Sequence, residues 1–149
     1  MNTEKLNISE FLLQLSDLHP LETETISSIV SEIDVILRYD PEVYYKGQAY
    51  YDAWDDAWDA MHLFGPHSNA LPYLMKMALN KGESSSDDEY ARKWAVRAIS
   101  KIDGDISEVL PFLQQLQQGD NRSLRQEAKK CLRKHHYHHL VKRRWYDWF

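Results

Sequence analysis

Four aspartates stand at spacings that bring their carboxylates together on a helix: Asp52, Asp55, Asp56 and Asp59. Intervals of three and four residues place such side chains on adjacent turns, where each like-charged pair costs a few tenths of a kcal/mol. Acid-base catalysis needs carboxylates in contrasting environments, and hard cations need oxygens converging from several segments. The stripe therefore predicts contact with a basic partner, and it predicts neither a catalytic pair nor a metal site.

Aromatic side chains accompany this stripe. An apolar seam at i, i+3, i+4 and i+7 consists of Trp54, Ala57, Trp58 and Met61. The predicted partner-binding surface combines tyrosines with the carboxylates and comprises Tyr44, Tyr45, Tyr50, Tyr51, Asp52, Asp55, Asp56 and Asp59. Aromatic anchors supply buried area in protein interfaces, while carboxylates steer the encounter. The alternative is a solvated acidic face, or one neutralised by Arg92, Arg97 or the C-terminal tail.

The C-terminal tail mixes basic and aromatic residues. Cations attract phosphates and aromatic rings stack on bases, so this composition is also that of single-stranded nucleic-acid binding. The alternative nucleic-acid site comprises Lys130, Arg133, Lys134, Lys142, Arg143, Arg144 and Trp145. A simpler interpretation is that Trp145, Trp148 and Phe149 fold back and cover the end of the helical stack.

The histidines are candidate metal ligands by type. His135 and His139 share a face if the helix continues through them, but Lys134 and Lys142 repel a cation and the glutamate of the metalloprotease helix motif is absent. We predict no native metal site and no cofactor. Isolated histidines such as His67 are expected to be structural, as are His19 and His62, and Cys131 is expected to be a small buried residue.

Charge divides the chain into two parts. Residues 1–121 contain 9 Lys and Arg against 21 Asp and Glu, whereas residues 122–149 contain 9 against 2. Such asymmetry bears on partners and association rates and not on fold. The 149 residues suit one domain, and the sequence shows neither a membrane span nor a secretion signal, so we expect a cytoplasmic protein without a membrane partner.

Apolar periodicity of three and four residues predicts an all-α protein of about seven or eight helices. The first helix is expected to be capped by Ser9 and to stop near Pro20, and the second to run from Glu22 with Ile26, Ile29, Val30, Ile33 and Leu37 as its stripe. Further helices are predicted over 44–64, from a cap at Asn69, from a cap at Asp87 to Ile102, over 106–118, and after a cap at Asp120 or Asn121.

An internal repeat links the middle helices. Residues 57–65 and 95–103 coincide in their small and large apolar positions at a displacement of 38, and residues 128–132 repeat the same pattern. The sequence Leu71-Pro72-Tyr73-Leu74 aligns with Leu110-Pro111-Phe112-Leu113 at a displacement of 39. A period near 40 with two helices per unit is typical of stacked helical pairs.

On these motifs the chain resembles the HEAT-repeat family over about residues 48–134. The resemblance implies a short right-handed stack of antiparallel helix pairs, with 1–43 as N-terminal helices, 44–134 as repeats and 135–149 as a tail. It also implies an extended binding surface. Because the sequence contains no Gly-rich phosphate loop, no nucleophile turn and no Cys/His zinc spacing, we expect binding and not catalysis. The chain departs from the family in its first 40 residues, in Asp103-Gly104 and in its aromatic tail.

Three functions follow as expectations. The leading one is a non-catalytic module that docks a basic protein, most concretely a bacterial immunity protein that neutralises a nuclease toxin. The first alternative is nucleic-acid binding through the tail. The second is a resemblance to HEAT-like bilin lyases, for which tryptophan and tyrosine would supply stacking surface and no catalytic acid can be named.

Overall fold

The computed structural model describes residues 8–16, 21–38, 48–82 and 86–142. These ranges form seven α-helices and no strand, which confirms the predicted all-α class. The helices are α1 Ile8–Leu15, α2 Thr23–Leu37, α3 Gln48–Ala60, α4 Leu71–Leu79, α5 Ser86–Lys101, α6 Leu110–Leu116 and α7 Arg122–Lys134, with 3₁₀ helices at Met61–Leu63, Ser68–Ala70, Ser107–Val109 and His138–Leu140. Among these helices, none is long and apolar enough to cross a membrane.

Helix α5 lies at the centre of the packing. It contacts α2, α4 and α7, while α1 and α2 both contact α3, and α6 contacts α7. The predicted stripe of α2 is confirmed, because each of its five members is buried in the single core. The predicted cap at Asn121 is also confirmed, since its side-chain oxygen accepts a hydrogen bond from the Leu124 N–H at 3.0 Å.

Equivalent positions of the sequence repeat have equivalent environments. Ala57 and Ala95 are fully buried, as are Ala60 and Ala98. Helices α4 and α6 each begin at the leucine of a Leu-Pro pair and each follow a three-residue 3₁₀ helix. The turns that precede these helices also touch, because the Asp103 N–H donates to the Gly65 carbonyl at 2.8 Å. The repeat is therefore present in the local structure as well as in the sequence.

Proline explains why two predicted helices are divided. The span 106–118 consists of a 3₁₀ helix followed by α6, and the predicted helix over 44–64 consists of α3 followed by a 3₁₀ helix, with 44–47 outside the described residues. Pro111 has no N–H to donate to Ser107 and its ring crowds that carbonyl, so the chain before it takes the tighter 3₁₀ form. Pro66 lies beyond the other span and limits its extension, because it has no N–H to donate to the His62 carbonyl.

Three predicted helix caps are wrong. Ser9 lies inside α1 and Asp87 lies inside α5, because each helix already includes the residue before the predicted cap. Asn69 lies in the 3₁₀ helix before α4, and its side-chain Nδ2 donates to the Leu21 carbonyl at 2.7 Å. The Asn69 side chain thus makes a long-range hydrogen bond and not the local cap that the sequence pattern predicts.

Helix α7 ends before the histidine cluster. His136 has a φ of 66°, the Tyr137 N–H donates to the Leu132 carbonyl at 2.8 Å, and the His136 N–H donates to Arg133 at 3.0 Å. These bonds form a Schellman motif, which reverses the chain direction. The expectation that His135 and His139 share a helix face is therefore wrong.

His67 is structural, as predicted. Its ring is fully buried, its Nδ1 accepts from the Leu21 N–H at 3.2 Å, and its Nε2 lies 2.9 Å from the Leu15 carbonyl. The tautomer with its proton on Nε2 satisfies both contacts. His67 thereby holds the end of α1 and the start of α2 against the turn before α4.

Arg38 joins three helices. Its Nε lies 2.6 Å from Asp34 of α2, its Nη1 lies 2.9 Å from Asp88 of α5, and its Nη2 donates to the Met77 carbonyl of α4 at 2.8 Å. Both Arg38 and Asp88 have side chains about nine-tenths buried. A planar guanidinium can serve three acceptors in this way, whereas an ammonium cannot match its fixed geometry.

Gly82 abuts this arginine network. It has a φ of +55°, and a Cβ built there would lie against the Asp88 carboxylate. We expect Gly82→Ala to lower the free energy of unfolding by about 2 kcal/mol, because left-handed strain of about 1 kcal/mol adds to displacement of Asp88. Gly104 has a φ of +88° with no atom within 4 Å of such a Cβ, so Gly104→Ala is the matched control for strain alone. Urea denaturation of both variants tests this; equal losses would contradict the Asp88 contribution.

Candidate functional site

The described part of the aspartate stripe is only partly exposed. Asp55 and Asp59 are exposed, whereas Asp56 is half-buried. The backbones of Tyr50, Tyr51 and Asp52 belong to α3, but their side chains lie outside the described structure, as do Tyr44 and Tyr45 entirely. We therefore define the acidic ridge as Asp55 and Asp59, which lie one helical turn apart on α3.

An apolar depression borders one side of the acidic ridge. Asp59 lines it together with Leu12, Leu13 and Ser16 of the α1 segment and Leu63. Leu13 is 75% exposed, which makes it the most exposed of the large apolar side chains in the described ranges. The ridge thus has accessible apolar area directly beside its charge.

An aromatic cluster borders the other side. We define it as Trp54, Trp58 and Tyr90: the ring centroids of Trp54 and Trp58 are 5.3 Å apart, and Trp54 meets Tyr90 edge to face at 6.3 Å. The predicted seam on α3 is confirmed for Ala57 and Met61, which are buried, whereas both tryptophans are only half-buried. The large rings lie at the rim of the core and keep part of their surface accessible.

Arg97 continues this surface from the aromatic cluster towards α7. Its guanidinium lies 5.5 Å from the centroid of the Trp58 ring, and its Nε and Nη2 both donate to Glu127 Oε1, at 3.0 and 2.8 Å. Arg92 donates from Nε to the Ala78 carbonyl at 2.7 Å. These contacts direct the two arginines to Trp58, Glu127 and the backbone, and none of them neutralises the acidic ridge.

A cleft lies between α3, α5 and α7. It has a volume of about 290 Å³, and its charged and aromatic lining includes Trp58, Arg97, Lys101, Glu127, Lys130 and Lys134. We call this group the cationic cleft. A more open depression shares Arg97, Glu127 and Lys130 with it and adds Lys93, Arg122 and Glu89. The two are continuous along the groove between α5 and α7.

The sequence reasoning missed the α5 half of this cleft. Lys93, Arg97 and Lys101 recur every four residues, and Lys130 and Lys134 do so on α7. Such spacing places the cations on one face of each helix, so the sequence alone indicates two basic helix faces. The spacing does not predict, however, which helix faces pack against each other in the tertiary structure.

The predicted basic tail is divided by the structure. Lys130, Lys134 and Lys142 are exposed and Arg133 is half-buried, but Lys142 follows the chain reversal and does not line the cationic cleft. Arg143, Arg144 and Trp145 lie outside the described residues, as do Trp148 and Phe149, on which the predicted cap depends. The structure therefore joins two of the predicted cations, Lys130 and Lys134, to α5.

Cys131 and His135 fit structural roles. Cys131 is fully buried, and burial raises the pKa of its thiol to about 12, which keeps it protonated and unreactive. His135 lies 3.1 Å from the Ser100 carbonyl through Nε2, and desolvation lowers the pKa of its ring. Among the described residues, no three or more His, Cys, Asp or Glu side chains are grouped so that they can hold a metal ion.

Comparison with known proteins gives no match. No family model, no curated protein and no solved structure matches this chain.

Proposed function

We propose that this chain is a HEAT-like stack of helix pairs that acts in the cytoplasm by binding a basic protein and not by catalysis. Three features of the repeat support the stacking: the buried alanines at equivalent positions of α3 and α5, the common 3₁₀ and Leu-Pro starts of α4 and α6, and the hydrogen bond between Asp103 and Gly65. In such an architecture each unit buries its neighbour's apolar face, which leaves an outer surface free to vary.

The observation that carries the binding proposal is the acidic ridge beside the partly exposed aromatic cluster. Asp55 and Asp59 are exposed, and the contacts of Arg92 and Arg97 run to other groups. Long-range attraction to carboxylates raises the encounter rate of a basic partner, and the rims of Trp54, Trp58 and Tyr90 then supply apolar area. The concrete form of the proposal is an immunity protein that covers the phosphate-binding groove of a nuclease toxin, with aspartates in the place of phosphates.

The first test compares matched charge variants in a pull-down from the native organism at low and high salt. Asp55→Asn with Asp59→Asn removes the ridge, and Glu24→Gln with Glu108→Gln removes the same charge from exposed sites on other elements. We expect one basic protein to be retained by the wild type and by the control. The association rate constant of that retained protein with the ridge variant should be about 10-fold lower than with the wild type.

The salt dependence provides a second readout. If the ridge steers the partner, the association rate of the wild type falls steeply with salt, whereas that of the ridge variant falls less. Equal rates for the ridge and control variants, or retention that does not respond to salt, would exclude the ridge as the working surface.

A further inference from the structure

We propose that the cationic cleft binds single-stranded nucleic acid, a function that does not depend on the acidic ridge. Within the cleft Arg97 and Glu127 neutralise each other, so Lys101, Lys130 and Lys134 give the lining its net positive charge. The adjoining depression adds Lys93 and Arg122 against Glu89. This groove therefore offers a line of cations to a polyanion, although the chain as a whole carries a net charge of −5.

The shape of the groove favours a polymer over a small molecule. The cleft of about 290 Å³ is at the lower end of ligand pockets, and it opens into a second depression and does not close around its contents. The cations of α7 extend from Arg122 to Lys134, a helical distance of about 18 Å. That length accommodates about five nucleotides at the ~3.4 Å spacing of stacked bases.

A stacking platform distinguishes the cleft from a merely basic surface. Arg97 lies 5.5 Å from the Trp58 ring centroid, and Glu127 fixes the guanidinium plane by accepting from both Nε and Nη2. Unpaired bases stack on aromatic rings and on arginine planes, and neither contact requires a particular base.

The test measures fluorescence anisotropy of labelled dT10 and rU10 oligonucleotides between 50 and 200 mM salt. Four or five phosphate contacts predict a slope of log K against log salt of about −3, from about −0.7 for each contact on a single strand. Lys130→Gln with Lys134→Gln should make this slope less negative by about 1.4 and lower the affinity about 10-fold at low salt. Lys76→Gln with Lys81→Gln, which removes two exposed cations outside the cleft, should change neither.

Arg97→Lys tests the platform separately from charge. The lysine keeps the positive charge but has no plane on which a base can stack, so the affinity should fall about 5- to 10-fold while the salt slope stays unchanged. Circular dichroism and thermal unfolding confirm that the variant is folded. A polyglutamate peptide should bind at least 10-fold more weakly than the oligonucleotides, because it offers charge without bases.

Three results would overturn the assignment. One is equal weakening by the Lys76/Lys81 control. Another is polyglutamate binding as tightly as dT10, with Arg97→Lys unaltered, which would indicate an acidic protein partner. The third is complete loss of binding in Arg143→Gln with Arg144→Gln while the Lys130/Lys134 variant still binds, which would place the site in the tail. The acidic-ridge variant should bind oligonucleotides at least as well as the wild type, so the two proposals fail independently.

Discussion

Replacing Arg38 with alanine should lower the free energy of unfolding by about 3 kcal/mol, because it removes one partner from a buried ion pair. The guanidinium reaches Asp34, Asp88 and the Met77 carbonyl, so the substitution removes the polar contacts through which Arg38 links the end of α2 to α4 and α5. Asp88, which is 8% exposed, remains buried in the variant and has one cation fewer to balance its negative charge. Chemical denaturation with a constant m-value measures the loss.

Matched variants separate geometry from charge. Arg38→Lys keeps the positive charge but loses the planar guanidinium with its several donors. We expect it to lower the free energy of unfolding about half as much as Arg38→Ala does. Arg122→Ala removes an exposed arginine at the start of α7 and should change the stability by about 0.5 kcal/mol or less. In a double-mutant cycle, Arg38→Ala and Asp88→Asn should be non-additive by about 1 kcal/mol or more. An Arg38→Ala loss below about 1 kcal/mol would show that the network contributes little.

This network shows where local reasoning about the sequence ends. The apolar stripe of α2 is predictable because burial of one helix face follows from a period of 3.6 residues. The cap at Asn121 is predictable because its acceptor lies three residues along the chain. Arg38 binds residues 39 and 50 positions away, and nothing in its neighbourhood indicates that choice. Polar contacts between residues far apart in the sequence are thus the part of the fold that the residue pattern does not predict.

The candidate site follows the same division. The acidic ridge and the tryptophans belong to one helix, so their proximity is predictable from spacing, and Asp55, Asp59, Trp54 and Trp58 are indeed neighbours on α3. The cationic cleft needs α5 and α7 to meet at Arg97 and Glu127, a contact 30 residues apart. Asn69 illustrates the converse, because a residue suited to a local cap bonds Leu21 instead.

Trp94→Ala should cause the other large loss, about 4 kcal/mol, in line with cavities left by buried aromatic side chains. Trp94 is fully buried on α5, meets Phe64 edge to face at a centroid distance of 5.6 Å, and donates from Nε1 to the Ala57 carbonyl of α3 at 2.7 Å. It therefore combines apolar packing with the hydrogen bond that ties α5 to α3. A loss of this size is a large share of the ~5–15 kcal/mol that stabilises a typical domain.

Because Trp94→Ala can leave too little folded protein to measure, Trp94→Phe provides the quantitative test. Phenylalanine keeps most of the ring but cannot donate to Ala57, so we expect it to cost about 1–3 kcal/mol. Tyr90→Ala, one turn earlier on α5 and 45% exposed, should cost less than about 1 kcal/mol. A loss of stability in Tyr90→Ala as large as that in Trp94→Phe would contradict this expectation. The exposed aromatic rim would then contribute as much to the packing of α5 on α3 as the buried hydrogen bond to Ala57.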